Sequence, residues 1–460
     1  MDHRAPLITA VPVPGSALRT LSTRTPGQFP VLLESAAQGP LARYSLLAFE
    51  PSASLVRDAR GTLRAEGTAL VAGSFLDNLQ AWFTRESVRR DDSAHGLPFT
   101  SGWVVYLGYE IAAEIEPTLR LPAPTSGITA FALRVEHLAV HDLATDQVFA
   151  VSPAHDRARH QRLIEALHSA AAQPLQEPQP PLPLAALAEE PAERHLARVR
   201  AAKEYIAAGD IYQANLSRPW HLRLRDVADA PRVYTALRAA NPAPFAASVH
   251  FGGMTILSSS PERLLRIEGR EVSTRPIAGT RARLGDDQQQ QRDRAELVGH
   301  PKERAEHIML IDLERNDLGR VCEAGSVKVN EYMVTESYAH VHHIVSNVRG
   351  TLRADRSPID ALRALFPGGT ITGVPKVRCM QIIAELEAEG RGAYTGSLGW
   401  LGLDGDADFN ILIRTLTMIG PDITLRAGGG IVADSIPERE LEETRAKARG
   451  MLRAFEVPHD

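Results

Sequence analysis

The apolar positions along the chain change rhythm about one third of the way in. Up to residue 153, short apolar runs alternate with turn residues: FPVLLES (29–35), YSLLAFEP (44–51), SGWVVYLGYE (101–110) and EHLAVHDLATDQVFAVSP (136–153). Such runs, bounded by Gly, Pro and Asp, predict strands. Phe75, Leu79 and Trp82 recur at helical spacing and predict a helix over 74–86, and a second is predicted over 158–173. This is an α+β pattern without regular βαβ alternation.

Residues 172–193, AQPLQEPQPPLPLAALAEEPAE, are rich in Pro and Ala and show little periodicity. They predict a linker over 172–192 between an N-terminal domain, 1–171, and a second domain, 193–457. The second part is more regular. Helices are predicted over 193–210 and 303–315, with strand runs before, between and after them. The loop FPGGTITG (366–373) is predicted to open the helix VPKVRCMQIIAELEAEG, with Pro375 near its start and Gly390 past its end. SLGWLGLDGDADFNILIRTLTMI reads as a hairpin about Asp404 and Gly405.

The stretch AGGGIVADSIPERELEETRAK (427–447) concentrates the candidate chemistry. Three glycines end a short apolar strand. Ser435 and Glu438 have the spacing of a capping box, with Pro437 in the first turn. On the helix that follows, Glu440, Glu443 and Lys447 share one face, while Leu441, Ala448, Leu452 and Phe455 form an apolar stripe on another. A glycine-lined backbone beside two carboxylates and an ammonium suits a small anion held with a hard cation such as Mg²⁺.

Composition narrows the class. With 460 residues, 44% hydrophobic and 23% charged, the chain reads as a soluble globular protein. A formal net charge of −5 provides no basic footprint for nucleic acid or an anionic membrane. Two cysteines, Cys322 and Cys379, fit a reducing cytoplasm rather than a disulfide scaffold. No run approaches the roughly 18 apolar residues of a membrane span, and the N-terminus has no signal-peptide core.

Other residues have both a functional and an ordinary reading. Glu303 and Glu306 repeat the i, i+3 carboxylate pair, so two helices could share one Mg²⁺, although such pairs are also common on solvated faces. Arg414 and Lys447 could each hold a substrate carboxylate or simply pair with a neighbouring acid. FPGGTITG could present free backbone N–H groups to an anion or merely cap a core helix. His343 sits on a strand-like run, where a histidine is more often a core residue than a catalyst. Gly428-x-Gly430-x-x-Ala433 fits a dinucleotide fingerprint formally, but only 27 residues follow Ala433, too few for the rest of that fold. The residues alone imply a soluble two-part α+β enzyme acting on a small dianion with Mg²⁺.

Seven motifs together resemble the chorismate-utilising enzymes, a family that includes anthranilate synthase component I, aminodeoxychorismate synthase component I, and the isochorismate and salicylate synthases. They are GDIYQANLSRP (209–219), SPERLLRIEGREVSTRPIAGTR (260–281), ERAEHIMLIDLERNDLGRV (303–321), HHIVSNVRG (342–350), FPGGTITGVPKVRCMQII (366–383), IRTLT (413–417) and AGGGIVADSIPERELEETRAKA (427–448). LLES (32–35) with RYSLL (43–47) resembles the N-terminal domain of the anthranilate and aminodeoxychorismate synthases. The resemblance implies an α+β fold, a large two-layer sandwich of antiparallel sheets with helices outside.

It also implies roles. Glu306 and Glu443 would ligate Mg²⁺, with Glu303 and Glu440 in its water shell, holding the ring carboxylate of chorismate. Gly279, Thr280, Gly429, Gly430 and Lys447 would bind that end of the substrate. Tyr394 and Arg414 would hold the enolpyruvyl group, and His343 and Thr370 would contact the ring. Glu262 would be the general acid for the departing C4 hydroxyl. Gln213 stands where the water-adding members carry a lysine, which points to ammonia as the nucleophile. The chain shows no glutamine-hydrolysing domain, so ammonia would come from a separate glutamine amidotransferase subunit or from solution.

Two amination products remain open. FPGGTITG and the AGGG triplet resemble the aminodeoxychorismate branch, which is the reading adopted: amination of chorismate to 4-amino-4-deoxychorismate, for 4-aminobenzoate and folate. Against it, PIAGT carries Ala278 where many such enzymes have a nucleophilic lysine, and alanine is the residue of anthranilate synthases. Ser35 of LLES, with Pro242 and Phe245 of NPAPF, resembles the tryptophan pocket of these families. A chorismate-binding regulator would be expected to lack the acidic residues, Arg414 or Lys447, and all are present.

Overall fold

The structure, a computed structural model, describes residues 5–456 apart from 38, 40, 90–95, 125–126, 174–180, 283–286, 300 and 338–340. The side chains of Thr280 and Glu303, and the core of the predicted linker at 174–180, lie outside the described set.

Two large sheets make up the fold, one of 13 strands and one of 11. Pairing is antiparallel throughout the described ladders except where Leu182–Glu189 runs parallel to Phe455–Glu456. Three packed layers of apolar side chains explain why the strand runs are so continuously apolar. Strand side chains alternate between faces, and here both faces are covered. In the Tyr44–Phe49 strand, Leu47 packs with the helices Ser16–Arg24 and Arg157–Ala172, whereas Leu46 and Ala48 face the other sheet. In Gly102–Leu107, Val104 and Tyr106 point between the sheets, while Trp103 and Val105 pack with the Phe75–Glu86 helix.

The two sequence parts do not form separate sheets. The 13-stranded sheet joins Val31–Glu34 to Phe245–Phe251, and the 11-stranded sheet joins Gly102–Leu107 to Ser397–Gly402. Nor does the predicted linker 172–192 behave as one along its described length. Leu182–Glu189 is a strand paired with Gln213–Leu224, and Leu182 and Leu184 are buried. Leu182 and Leu184 supply apolar contact that outweighs the proline signal.

Two of the places where the chain passes from one sheet to the other lie side by side. Met254–Ser260 belongs to one sheet and Arg263–Glu268 to the other, so Pro261 and Glu262 form a crossover. Ala407–Asn410 and Thr415–Ile419 are divided in the same way, with Arg414 on the second crossover at φ 51°. The hairpin about Asp404 and Gly405 therefore ends at Asn410, and the rest of that run enters the opposite sheet. The crossovers are tied together by Ile411 N–H donating to the Glu262 carbonyl at 3.0 Å.

Two further expectations are corrected. The helix Pro437–Leu452 has Ile436 at its N-cap and no side-chain cap; Ser435 instead accepts from Val432 N–H at 3.1 Å, so the capping box is not formed. FPGGTITG does not lead directly into a helix N-terminus. It forms a 3₁₀ turn at Gly369–Ile371 and a two-residue strand, Gly373–Val374, before the helix Lys376–Glu387 begins. Gly373 pairs with Ala214, which commits that backbone to the sheet. True capping boxes occur at Ser74 with Asp77 and Ser357 with Asp360. Replacing Ser357 with Ala should therefore cost about 1 kcal/mol in thermal or denaturant unfolding, whereas Glu438→Ala should change stability by less than about 0.5 kcal/mol.

Candidate active site

The site is built around a strand with no room for side chains. Asp422–Ile431 pairs with Gln213–Leu224 in a register that puts Gly428 opposite Ser217 and Gly430 opposite Asn215. A Cβ on Gly428 would lie 2.4 Å from the Leu216 carbonyl oxygen and 2.8 Å from the Tyr394 hydroxyl. A Cβ on Gly430 would collide with Gln213 Nε2, at 2.0 Å. Gln213 is buried, and its Oε1 has no hydrogen-bond partner among the described residues. The Gly428–Gly430 surface therefore remains bare backbone, with Gln213 and Tyr394 beside it.

The helix Pro437–Leu452 lies along this strand with Leu441, Thr444, Ala448 and Met451 buried. Its other face has the predicted arrangement. Glu440 Oε2 and Glu443 Oε1 each lie 3.4 Å from the position a Gly429 Cβ would take. Lys447 donates to the Gly428 carbonyl at 2.8 Å and pairs with Glu443 at 2.8 Å. Two carboxylates beside bare backbone are a hard-oxygen donor set that fits Mg²⁺. Glu306 is half-buried on the separate helix Pro301–Gly319, which packs on the strands carrying Gly279 and His343. Among the described residues, no three His, Cys, Asp or Glu side chains come together as a metal cluster.

From the other sheet, Ile277–Ala282 pairs with Val341–Thr351. Gly279, at φ 62°, bulges between Ala278 and Thr280, and a backbone hydrogen bond joins it to His343. Positive φ suits glycine, so the bulge turns the strand at little cost. Burial drives His343 down to about 3, and the charges of Arg414 and Lys447 add to that effect. The imidazole is therefore neutral across the physiological range. Ala278 is buried opposite Ile344.

Glu262 lies on the crossover between the sheets and is 4% exposed. Its Oε1 accepts the Thr370 hydroxyl at 2.8 Å and Ile277 N–H at 3.3 Å. Burial pushes its carboxyl up to about 7, against the lowering effects of those two bonds and of Arg414 and Lys447. Arg414 and Lys447 thus act electrostatically on both Glu262 and His343, which brings four of the predicted residues, each from a different motif, into one site. An acid with its pKa near neutral, a neutral histidine and two cations is a constellation for protonating a leaving group on an anion.

This geometry coincides with a family match. The model of the chorismate binding enzymes matches residues 30–453. The chain belongs to the chorismate-binding enzymes. It is 39% identical over 481 residues to anthranilate synthase component 1 of Synechocystis, covering 96% of this chain and 93% of that one. It is 38% identical over 446 residues to aminodeoxychorismate synthase component 1 of Bacillus subtilis, covering 94% and 92%. Anthranilate synthase component I from Streptococcus pneumoniae has the same fold, with a TM-score of 0.78 and 30% identity over 90% of this chain and 93% of that one. This protein is a chorismate-binding enzyme of the anthranilate/aminodeoxychorismate synthase type, and relatives of both kinds match it along most of its length.

Away from this site, a cavity of about 600 Å³ opens between the sheets, and Ser35, Tyr44, Pro244, Phe245 and Arg263 line it. Ser35 donates to the carbonyls of Tyr44 and Pro244 at 3.1 and 3.3 Å. Pro242 does not line this cavity: the backbone turns so that Pro244 takes that place. Two structural groups were not recognised from sequence. Buried Arg391 stacks on Tyr109 and Tyr394 and pairs with Glu387, and Glu314 lies beneath the Thr370 loop. Arg391 lies outside the family motifs quoted above, and Glu314 within ERNDLGR reads as an ordinary helical acid.

Glu262 gives the chain a measurable pH signature. The folded state keeps this proton up to about pH 7, whereas an unfolded carboxyl loses it near pH 4.5. The folded state then binds more protons across that window, so stability falls as pH rises through it. Glu262→Gln should raise unfolding stability by about 1–3 kcal/mol at pH 8 and leave it nearly unchanged at pH 4. Thermal unfolding at the two pH values checks this.

Proposed function

We propose that this protein aminates chorismate to 4-amino-4-deoxychorismate, with Mg²⁺ and with ammonia delivered by a glutamine amidotransferase subunit. The observation that carries the amination chemistry is Glu262, buried and protonated near neutral pH beside Thr370, Arg414 and Lys447. Ammonia forms the new C4–N bond as the C4–O bond breaks; Glu262 gives its proton to the departing hydroxyl, which leaves as water with the bonding electrons, and the Glu262 carboxylate takes a proton back from the new ammonium group, so both ring double bonds stay in place. Arg414 and Tyr394 hold the enolpyruvyl side chain. The bare Gly429–Gly430 backbone and Lys447 receive the ring carboxylate. When bound by Glu306 and Glu443, with Glu303 and Glu440 in its water shell, Mg²⁺ supplies positive charge to that carboxylate and to the departing hydroxyl. Gln213 offers its unpartnered Oε1 as an acceptor for ammonia rather than a base for water.

The aminodeoxychorismate reading draws on FPGGTITG and the AGGG strand. Ala278 favours a second reading, conversion of chorismate to anthranilate and pyruvate, because a methyl group cannot attack the ring as a lysine would. Purified protein mixed with chorismate, Mg²⁺ and ammonium separates the two. We expect 4-aminobenzoate only after an aminodeoxychorismate lyase is added. Anthranilate fluorescence without the lyase would transfer the assignment to the second reading. Glu306→Gln and Glu443→Gln should each lower turnover by at least about a hundredfold, checked across a Mg²⁺ titration; near-normal rates at low Mg²⁺ would remove the metal assignment.

The cavity beside Ser35 and Phe245 is proposed to accept tryptophan. Free tryptophan should then raise the melting temperature, and Ser35→Trp should abolish that shift by filling the space.

A further inference from the structure

Beneath the Phe366–Gly373 loop lies a carboxyl group for which the chemistry above has no use. Glu314, on the helix Pro301–Gly319, is 2% exposed. Its Oε1 accepts Gly369 N–H at 3.2 Å, and its Oε2 has no hydrogen-bond partner among the described residues. A buried acid with one oxygen unsatisfied is costly, so apolar filling would stabilise the fold better. The side chains of Leu313 and Glu314 also pack closely against the loop. A Cβ on Gly369 would lie 2.5 Å from Leu313 Cδ2 and 2.9 Å from Glu314 Oε1.

The loop is held at three points. Lys376 just past its end donates to the Leu365 carbonyl just before its start, at 3.3 Å, and pairs with buried Asp317 one turn beyond Glu314. Glu314 holds the middle. The next residue after Gly369 is Thr370, whose hydroxyl donates to Glu262. Thr370 also fixes its own backbone from the opposite side, where its carbonyl accepts from Asn215 Nδ2 at 3.5 Å.

We propose that Glu314 is a positioning residue for the amination: by accepting Gly369 N–H it fixes the Gly369–Ile371 turn and so aims the Thr370 hydroxyl at Glu262. The inference rests on the reading of Glu262 as the acid. Glu314 acts through backbone and touches no substrate atom. A misplaced Thr370 would leave Glu262 to rotate, and a proton donor displaced by 1 Å loses most of its advantage. The charged groups that face Glu314 are Asp317 on its own helix, Lys376 on the helix Lys376–Glu387 and Glu262 across the loop. Burial, with the Asp317 charge adding to it, pushes the Glu314 carboxyl above the usual carboxylate range.

Two substitutions separate positioning from bulk structure. Glu314→Gln keeps an oxygen for Gly369 N–H, and Glu314→Ala removes it. With chorismate, Mg²⁺ and ammonium, the Ala variant should lose at least about tenfold in kcat with KM for chorismate within about threefold. The Gln variant should retain kcat within about threefold at pH 6.5. Equal loss in both variants, or an Ala variant with wild-type kcat, would overturn the proposal. Glu262→Gln is the control. If it retains activity, the acid assignment fails, whereas its inactivity beside a normal Glu314→Ala removes only the present inference.

Discussion

The close approach of backbone to backbone at Gly428–Gly430 is the constraint on which the rest of the site depends. No side chain can be added at Gly428 without driving into the Leu216 carbonyl or the Tyr394 hydroxyl. With the glycines bare, the helix Pro437–Leu452 can lie close enough for Glu440, Glu443 and Lys447 to reach the strand. Gln213 fills the space a Gly430 side chain would need. A methyl group on Gly428 would therefore disturb the strand pairing and Tyr394, and one on Gly430 would displace the Gln213 side chain.

Burial alone does not decide what a carboxyl group does here; the number of cationic partners does. Glu387 is as deeply buried as Glu262, yet its carboxyl is held down to about 2. Arg391 and Arg426 both bond to it, and Ser217 adds its N–H and hydroxyl. Glu262 receives one hydroxyl and one N–H, with its cations acting from farther off, and desolvation wins. The first arrangement is a fixed ionic strut under Tyr394. The second stores a proton at physiological pH, at a cost in stability that the fold carries in exchange for chemistry. Arg391 also places its guanidinium over the Tyr394 ring.

Much of this was legible in the sequence because local rules and tertiary packing agree. The strand runs of the first part and the helices at 74–86 and 158–173 emerge where periodicity places them. The two-sheet sandwich and the shared face of Glu440, Glu443 and Lys447 also follow. Failures came where long-range contacts override local signals. Prolines around 181–183 suggested a linker, yet Leu182 and Leu184 gain more from burial in the sheet. Ser435 had the spacing of a cap but turns back to Val432. The run through Asn410 and Arg414 looked like one hairpin, because a crossing between stacked sheets leaves no periodic trace. Pro242 gives way to Pro244 at the cavity for a similar reason: one loop residue cannot be told from its neighbour by composition.

The claim at the centre of this account is that Glu262 holds a proton at the pH where the protein works. Infrared difference spectroscopy of the carboxyl stretch, wild type minus Glu262→Gln across a pH titration, observes that proton directly. The account predicts a protonated carboxyl band that half-disappears at about pH 7. A band lost near pH 4.5, as for an exposed glutamate, would contradict it and leave the site without its acid.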